Sequence, residues 1–423
     1  MDVRLAYGET GLMIRVPDER ATIVEPEYRS PAPDPMAALR TALREPVAGP
    51  PLRQLARPGQ KVAISVCDGT RAQPRHQMVP AVLGELDGIV DVADVVVLIA
   101  TGTHRANTDA ELRTMLGDDV VDAVRVVNHD ARDDSTMTWC GRFGHDVPVW
   151  LNSEWVAADL KITTGFVEPH FFAGFSGGPK LVAPGLAALE TVLTLHNAAR
   201  IGHPKATWGI TEGNPIHDDV RAIAAVTGVD FACDVVLNKD QKIVEAFAGE
   251  LFAMHAAACQ AARRVAMRPV LAPFDVVVTT NSGYPLDQNL YQSIKGISAG
   301  AQIVADSGTI ICAAECRDGL PNHGSFMQAF AGASSPREVL AHIESASMVT
   351  PDQWQAQVQA KIQGRARVIM HTDYLTDETL RAAHLEQTPD VSAAVAEALD
   401  LAGPEARVAV LPEGPQTIPY LAA

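Results

Sequence analysis

Short apolar runs rich in β-branched residues alternate with longer stretches of helical periodicity along most of this chain, and that alternation restricts the fold more than any other feature. The runs cover residues 62–66, 95–100, 124–127, 160–163, 235–237, 276–280, 309–312, 368–371 and 408–411. Between them lie helical candidates at 186–197, 216–226, 249–267, 336–345 and 391–401. Strands alternating with helices predict α/β layers on mainly parallel sheets. In such folds ligands bind where loops leave the carboxyl ends of the strands.

A chain of 423 residues is long enough for two domains. The clearest break is Arg268-Pro269-Val270-Leu271-Ala272-Pro273, where two prolines follow a long helical stretch and precede a new strand. The expected fold is therefore two α/β domains with mainly parallel sheets and the active site in the cleft between them. The first spans 1–268, completed by residues 405–423 returning to it, and the second spans 273–404.

The formal charge of −17 argues against broad attraction to nucleic acid or an anionic membrane surface, so any bound anion needs a local cluster of bases. No long apolar run and no signal-like N-terminus are present, which predicts a cytoplasmic protein. The six cysteines are scattered, with only Cys312 and Cys316 close together, and suggest neither a disulfide framework nor a four-thiolate zinc site. Oligomeric state is not legible in this pattern.

Polar loops follow several of the strands. The first carries Asp68, Thr70 and Arg71, an acid, a hydroxyl and a guanidinium able to orient one another and bind a carboxylate or phosphate; a tight turn with Arg71 on the surface is the plainer reading. The second, Thr101-Gly102-Thr103-His104-Arg105, sets a histidine at a strand end, where it can move protons near neutral pH or simply lie on the surface.

The third, from Thr163 to Lys180, combines His170, Phe171 and Phe172 with Gly174, Ser176, Gly177, Gly178 and Lys180. That mixture suits a backbone wrapping closely around a flat ligand with a phosphate. It is not a nucleotide-binding P-loop, because Pro179 and Leu181 occupy positions that motif reserves for Gly and for Ser or Thr. His196 follows Leu189, Val192 and Leu193 at helical spacing on an apolar stripe, either as a core histidine bonded to a carbonyl or as a ligand for nickel, zinc or copper. In the second domain, Gln292 and Lys295 are three apart and share a helix face, beside Tyr291, and Trp354 could add an apolar wall or be ordinary core.

Taken in order, Asp68-Gly69-Thr70-Arg71, Thr101-Gly102-Thr103-His104-Arg105, the block through His170 and Lys180, His196, and Tyr291-Gln292-Ser293-Ile294-Lys295-Gly296 resemble the nickel-pincer lactate racemase family of 2-hydroxyacid racemases and epimerases. The resemblance implies an isomerase whose cofactor is a nickel-pincer nucleotide, a pyridinium-3-thioamide-5-thiocarboxylic acid mononucleotide nickel group. By that resemblance Lys180 forms the covalent link, His196 is the protein ligand to nickel, and His104 and His170 are the acid/base pair on opposite sides of the hydroxyacid. Arg71, Gln292 and Lys295 would hold the substrate, with Asp68, Tyr291 and Trp354 beside it, and Gly174, Ser176, Gly177 and Gly178 would lie along the cofactor.

The implied reaction removes the hydroxyl proton to one histidine while the α-hydrogen leaves as hydride to the pincer; the transient 2-keto acid takes it back on its other face. The implied partners are a small 2-hydroxyacid and the enzymes that make the cofactor. Lactate is the default substrate, with malate, a longer aliphatic or aromatic hydroxyacid, or a sugar-like molecule as alternatives. Two readings of another class are a metal-dependent hydrolase using His104, His170 and His196 as three ligands, and a noncatalytic binding protein for a phosphorylated anion.

Overall fold

A computed structural model describes residues 1–321 and 324–422. The chain divides into two compact units, Tyr28–His196 with Lys205–Val265, and Met1–Glu27 with Asn197–Pro204 and Ala266–Ala423. Each is α/β, as the alternating pattern predicts.

The first unit is built on a six-stranded sheet with spatial order Ile243–Gly249, Phe231–Leu237, Leu160–Phe166, Val62–Cys67, Val95–Ala100, Arg125–Asn128. All neighbours are parallel except Ile243–Gly249, which returns antiparallel along the edge. Val62–Cys67 is buried at every residue, which is why it reads as a continuous apolar run rather than an alternating one. From this strand the chain builds outward to Val95–Ala100 and Arg125–Asn128, then crosses back to lay Leu160–Phe166 on its other side. The order of strands therefore reverses at Val62–Cys67, and loops leaving the carboxyl ends on either side of a reversal diverge and leave a crevice.

The helix expected over 186–197 is confined to Leu189–Leu195. Leu186 instead closes a turn, its amide donating to Val182 O and its carbonyl accepting from Asn152 N, both at 2.9 Å, and Ala187 bridges to Leu151. Strong pairing partners outside the segment override its helical spacing.

The second unit carries a six-stranded, wholly parallel sheet of order Glu386–Gln387, Arg367–His371, Val304–Ala313, Phe274–Thr280, Val408–Val410, Ala21–Ile23. This corrects the expected division at both ends of the chain. The final apolar run does not return to the first domain: Val408, Ala409 and Val410 pair with Val276, Val277 and Val278, and all three are buried. The N-terminal strand Ala21–Ile23 covers the far edge of Val408–Val410, a three-residue element too short to announce itself by periodicity. Asn197–Pro204 also belongs here, the Gly202 carbonyl at the end of the Ala198–Gly202 helix accepting from Lys361 Nζ at 3.0 Å. No described helix is long and apolar enough to cross a membrane.

Candidate active site

The loops that carry the sequence-predicted residues of the first unit leave three adjacent strands, Val95–Ala100, Val62–Cys67 and Leu160–Phe166, at the sheet reversal. After the central strand, Asp68 is almost fully buried at 2% exposure, and its Oδ2 accepts from His104 Nδ1 at 2.7 Å while Oδ1 accepts from Thr70 Oγ1 at 2.8 Å. Burial pulls the Asp68 carboxyl upward. The hydrogen bond and charge of His104, with Arg71 and Thr70, outweigh it and hold the group below the usual carboxylate range.

The loop that presents this carboxylate is stapled from below. Gln73 Oε1 accepts from Cys67 N at 2.8 Å, and the buried Arg75 guanidinium donates to the carbonyls of Asp68 at 2.9 Å and Arg71 at 3.1 Å. Arg71 is exposed. Arg105, weighed as an anion holder, instead pairs with Glu111 at 2.6 Å.

His104 and His170 have opposite settings. An ionised Asp68 requires a proton on His104 Nδ1, so in the neutral imidazole Nε2 holds the lone pair. His170 Nδ1 accepts from the main-chain amides of Ala173 at 3.3 Å and Phe172 at 3.5 Å, which assigns its proton to Nε2. The His170 ring lies 4.5 Å edge-on from Phe172, and Phe172 in turn meets His196 edge-on at 5.3 Å. One buried phenyl thus spaces two of the predicted functional imidazoles.

His196 caps the Leu189–Leu195 helix, and its Nδ1 donates to the Val192 carbonyl at 2.7 Å. The carbonyl bond and the ligand role are compatible rather than alternatives: fixing the proton on Nδ1 makes Nε2 the nitrogen able to bind a metal, and a carbonyl partner is a common way to orient such a ligand.

Lys180 is half-buried in the tight turn Gly178–Leu181, and its carbonyl accepts from Gly185 N at 3.1 Å. Gly185 in turn accepts from Gly102 N at 3.0 Å, which ties the Lys180 turn to the loop bearing His104. The Ser176 hydroxyl closes the base of the Gly-rich loop, donating to Phe166 O and accepting from Glu168 N, both at 2.9 Å. Gly174 pairs with His170 across a short hairpin.

Gly177 and Gly178 sit at φ +71° and +51°, and a Cβ on Gly177 would fall 2.6 Å from Asp234 Oδ2 while one on Gly178 would strike the His255 ring at 2.5 Å. Only glycine admits that approach. Asp234 Oδ2 accepts from Gly178 N at 2.6 Å, and His255 Nε2 donates to the Ser176 carbonyl at 2.8 Å. Two buried polar side chains, from the Phe231–Leu237 strand and the Leu251–Ala266 helix, therefore grip the loop just ahead of Lys180. Burial pushes the Asp234 carboxyl up to about 7, the Gly178 and Gly165 amides pulling only weakly the other way.

In the second unit Tyr291, Gln292 and Lys295 lie on the Leu290–Gly300 helix, capped by Asn289, whose Oδ1 accepts from Gln292 N at 3.0 Å. Gln292 and Lys295 are half-exposed on a helix otherwise mostly buried. Tyr291 OH donates to Asp352 Oδ1 at 3.0 Å and accepts from Trp354 Nε1 at 3.3 Å, so Tyr291 and Trp354 form one hydrogen-bonded wall.

Reasoning from the sequence misses Asp234, His255 and Arg75 as contributors to the site. An acid inside the apolar strand FACDVVL and a histidine inside the apolar helical run LFAMHAAACQ were the available signals. Among the described residues no group of three or more His, Cys, Asp or Glu side chains is placed to hold a metal ion, which leaves the three-histidine hydrolase reading without its ligand set.

Comparison with known proteins agrees over both units. Residues 7–209 match the profile of the lactate racemase N-terminal domain, and residues 271–418 match that of the lactate racemase C-terminal domain. The chain is 35% identical over 425 residues to a lactate racemase of Thermoanaerobacterium thermosaccharolyticum, covering 99% of each sequence. It is 36% identical over 375 residues to one of Lactiplantibacillus plantarum, covering 88% of each. The solved structure of the Thermoanaerobacterium thermosaccharolyticum apoprotein superposes with a TM-score of 0.93 over 99% of this chain and 100% of that one. A Thermotoga maritima protein at 17% identity and a TM-score of 0.66 over 94% of this chain and 100% of that one shares the fold.

Proposed function

The chain belongs to the lactate racemase family, and from that premise we propose that it is an isomerase interconverting D- and L-lactate, with His104 and His170 exchanging the hydroxyl proton. The observation that carries the residue assignment is the opposed protonation of the two imidazoles. Racemisation must work from either face of one carbon, so it needs a base ready on one side and an acid ready on the other. His104, held by ionised Asp68, offers a lone pair on Nε2; His170, taking main-chain amides at Nδ1, offers a proton on Nε2.

In the direction that begins at His104, Nε2 takes the hydroxyl proton of the bound lactate, and Asp68 stabilises the imidazolium that results. Return through the other face draws the proton of the new hydroxyl from His170. His170 passes on its Nε2 proton only as it takes another up from water, since a neutral imidazole that simply lost it would be left as imidazolate, so each turnover leaves His104 as imidazolium and His170 neutral. His104, with its side chain 43% exposed, can also reset by exchange with water.

The family implies a nickel-pincer nucleotide, which when bound supplies a centre that accepts and returns the α-hydride. The residues present fit such a group: Lys180 is half-buried on a turn fixed at both ends, and His196 has its proton committed to Val192 O, leaving Nε2 as donor. Neutral imidazole suits nickel. Arg71, Gln292 and Lys295 are the groups we assign to the substrate carboxylate and hydroxyl, local positive charge in an acidic chain.

The experiment is racemisation of either lactate enantiomer by protein produced in cells that make the cofactor, with intact mass and bound nickel measured beside it and Lys180→Ala alongside. Turnover, a mononucleotide-sized adduct and nickel, with all three lost in Lys180→Ala, are expected. Turnover of lactate by an unmodified, nickel-free chain would reject the cofactor assignment; a loaded chain inert on lactate but active on another 2-hydroxyacid would reject the substrate.

A further inference from the structure

The reaction described above makes no use of one buried histidine that stands between the loops carrying it. His129 follows the Arg125–Asn128 strand, is 1% exposed, and has its amide paired with the Ile99 carbonyl at 3.1 Å. Its Nε2 donates to the Ala187 carbonyl at 3.0 Å, so Nδ1 keeps the lone pair, buried and with no hydrogen-bond partner among the described residues. Burial lowers its pKa below the ordinary histidine value, against the pull of the Ala187 carbonyl and the Asp130 charge, and the ring is neutral near pH 7. An apolar residue would fill this place without stranding a polar atom. What the imidazole adds is a donor on Ala187.

Contacts run from residues 129–131 to both sides of the reaction. On one side the His129 carbonyl accepts from Thr101 Oγ1, itself buried, and the Thr101 carbonyl accepts from His104 N at 3.0 Å, closing the turn that presents the base. On the other side the Ala131 carbonyl accepts at 2.8 Å from Leu189 N, the first amide of the helix that His196 caps. That helix has seven residues, too few to keep its place by its own backbone bonds. Ala187 lies between it and the Lys180 turn: the Ala187 amide donates to Pro184 O at 3.3 Å, and Gly185 N donates to Lys180 O at 3.1 Å. The bond from Gly102 N to Gly185 O, at 3.0 Å, already ties the two sides. One tie leaves a hinge, whereas a second beside it fixes both separation and angle.

We propose that His129 is a positioning residue for the racemisation: its side chain on Ala187 and its carbonyl on Thr101 form a strut that sets the His104 base against the segment running from Lys180 to His196. The proposal rests on the functional reading above for what that segment carries, but the strut can be tested without it. A reacting group displaced by about 1 Å costs on the order of a hundredfold in rate.

The test compares His129→Leu, which keeps most of the volume but not the donor, with His129→Gln, whose amide nitrogen can reach the place of Nε2, both made in cells that supply the cofactor. His129→Leu is expected to lower kcat about tenfold to a hundredfold, with KM within about twofold and nickel retained, and His129→Gln to recover most of the loss. In unloaded protein, amide hydrogen exchange at Gly102 and at Leu189 should quicken together by about tenfold in His129→Leu and return towards the wild-type rate in His129→Gln. Should His129→Leu not fold, Thr101→Val cuts the strut at its other end and is expected to give the same fall in kcat, with faster exchange at Gly102. Wild-type kcat in folded His129→Leu or Thr101→Val would overturn the strut. So would a His129→Gln as impaired as His129→Leu at equal melting temperature, or a loss of kcat with exchange unchanged at both amides. A wild-type chain that takes up no adduct and racemises nothing would instead reject the functional reading, and exchange at Gly102 and Leu189 would still decide the strut.

Discussion

The loops that follow Val95–Ala100 and Leu160–Phe166 each bring one histidine to the carboxyl edge of the same sheet, and they hold it by different means. His104 is held by a charge, a carboxylate 2.7 Å away in a loop that Arg75 and Gln73 pin in place. His170 is held by the main chain that follows it and by the rings of Phe171 and Phe172. A fixed carboxylate favours imidazolium once a proton arrives; amide donors at Nδ1 favour neutral imidazole with its proton on the other nitrogen. The difference teaches that two chemically identical side chains are made into a base and an acid by what touches the nitrogen away from the substrate.

The largest effects should come from deleting either member of the pair. Replacing His104 or His170 by Ala is expected to lower turnover by about 10²–10⁴-fold with the melting temperature nearly unchanged. The two enantiomers of lactate have equal free energy in water, so kcat/KM must fall equally in both directions. The asymmetry of the pair should appear instead as different kcat and KM values for D- and L-lactate. Wild-type turnover in either variant would remove that histidine from the reaction.

Asp68→Asn sharpens the comparison, because it abolishes the charge while keeping the shape. The amide can donate to Nδ1 and move the proton of His104 to Nε2, giving both histidines the setting of His170. A loss of kcat of about 10²–10⁴-fold is expected, by analogy with the same change in a Ser-His-Asp triad. The measurement is kcat for each enantiomer, together with the nitrogen chemical shifts of labelled histidine. An unchanged His104 tautomer with full activity would make Asp68 merely structural.

How much of this was legible in the residues follows from the range of the forces involved. The α/β class was legible because strand burial imposes a local pattern, as in Val62–Cys67 and Val95–Ala100. The loops bearing Asp68, His104, His170 and Lys180 were legible because their residue types are unusual just after apolar runs. Membership of Ala21–Ile23 and Val408–Val410 in one sheet was not, since a partner nearly 390 residues away leaves no local trace. Nor was the pairing of Asp68 with His104, which depends on two strands being neighbours, or the clasp of Asp234 on Gly178 across 56 residues.

Of the acid/base pair, Phe172 meets His170, and so tests whether ring packing there does the work that charge does at His104. Phe172→Leu keeps most of the buried volume but loses the edge contacts to His170 and His196. Aromatic contacts of this kind are worth about 0.5–1.5 kcal/mol each beyond burial. The expected result is a fall in kcat of about tenfold and a melting temperature lowered by a few degrees, while the Asp68–His104 geometry is retained. Loss of activity as deep as that of His170→Ala, without unfolding, would mean that Phe172 contacts the reacting groups directly.

Asp234 should have the smallest effect on activity and a clear effect on the pH dependence of stability. Its folded value is raised from an ordinary carboxylate to about 7, with burial the leading cause. A raised folded pKa means that the native state binds the proton more tightly than the unfolded chain. The stabilisation is fully present below the unfolded value near 4 and is lost as pH rises through about 7, up to about 4 kcal/mol for a three-unit shift. Asp234→Asn removes the titration while an amide oxygen can still accept from Gly178 N. Its melting temperature should vary less than that of the wild type between pH 5 and pH 8, most visibly with a relative gain at the alkaline end. Parallel melting curves for the two proteins over that range would show that Asp234 is ionised in the native state, and that the Gly178 amide holds a carboxylate rather than a neutral acid beneath the Lys180 turn.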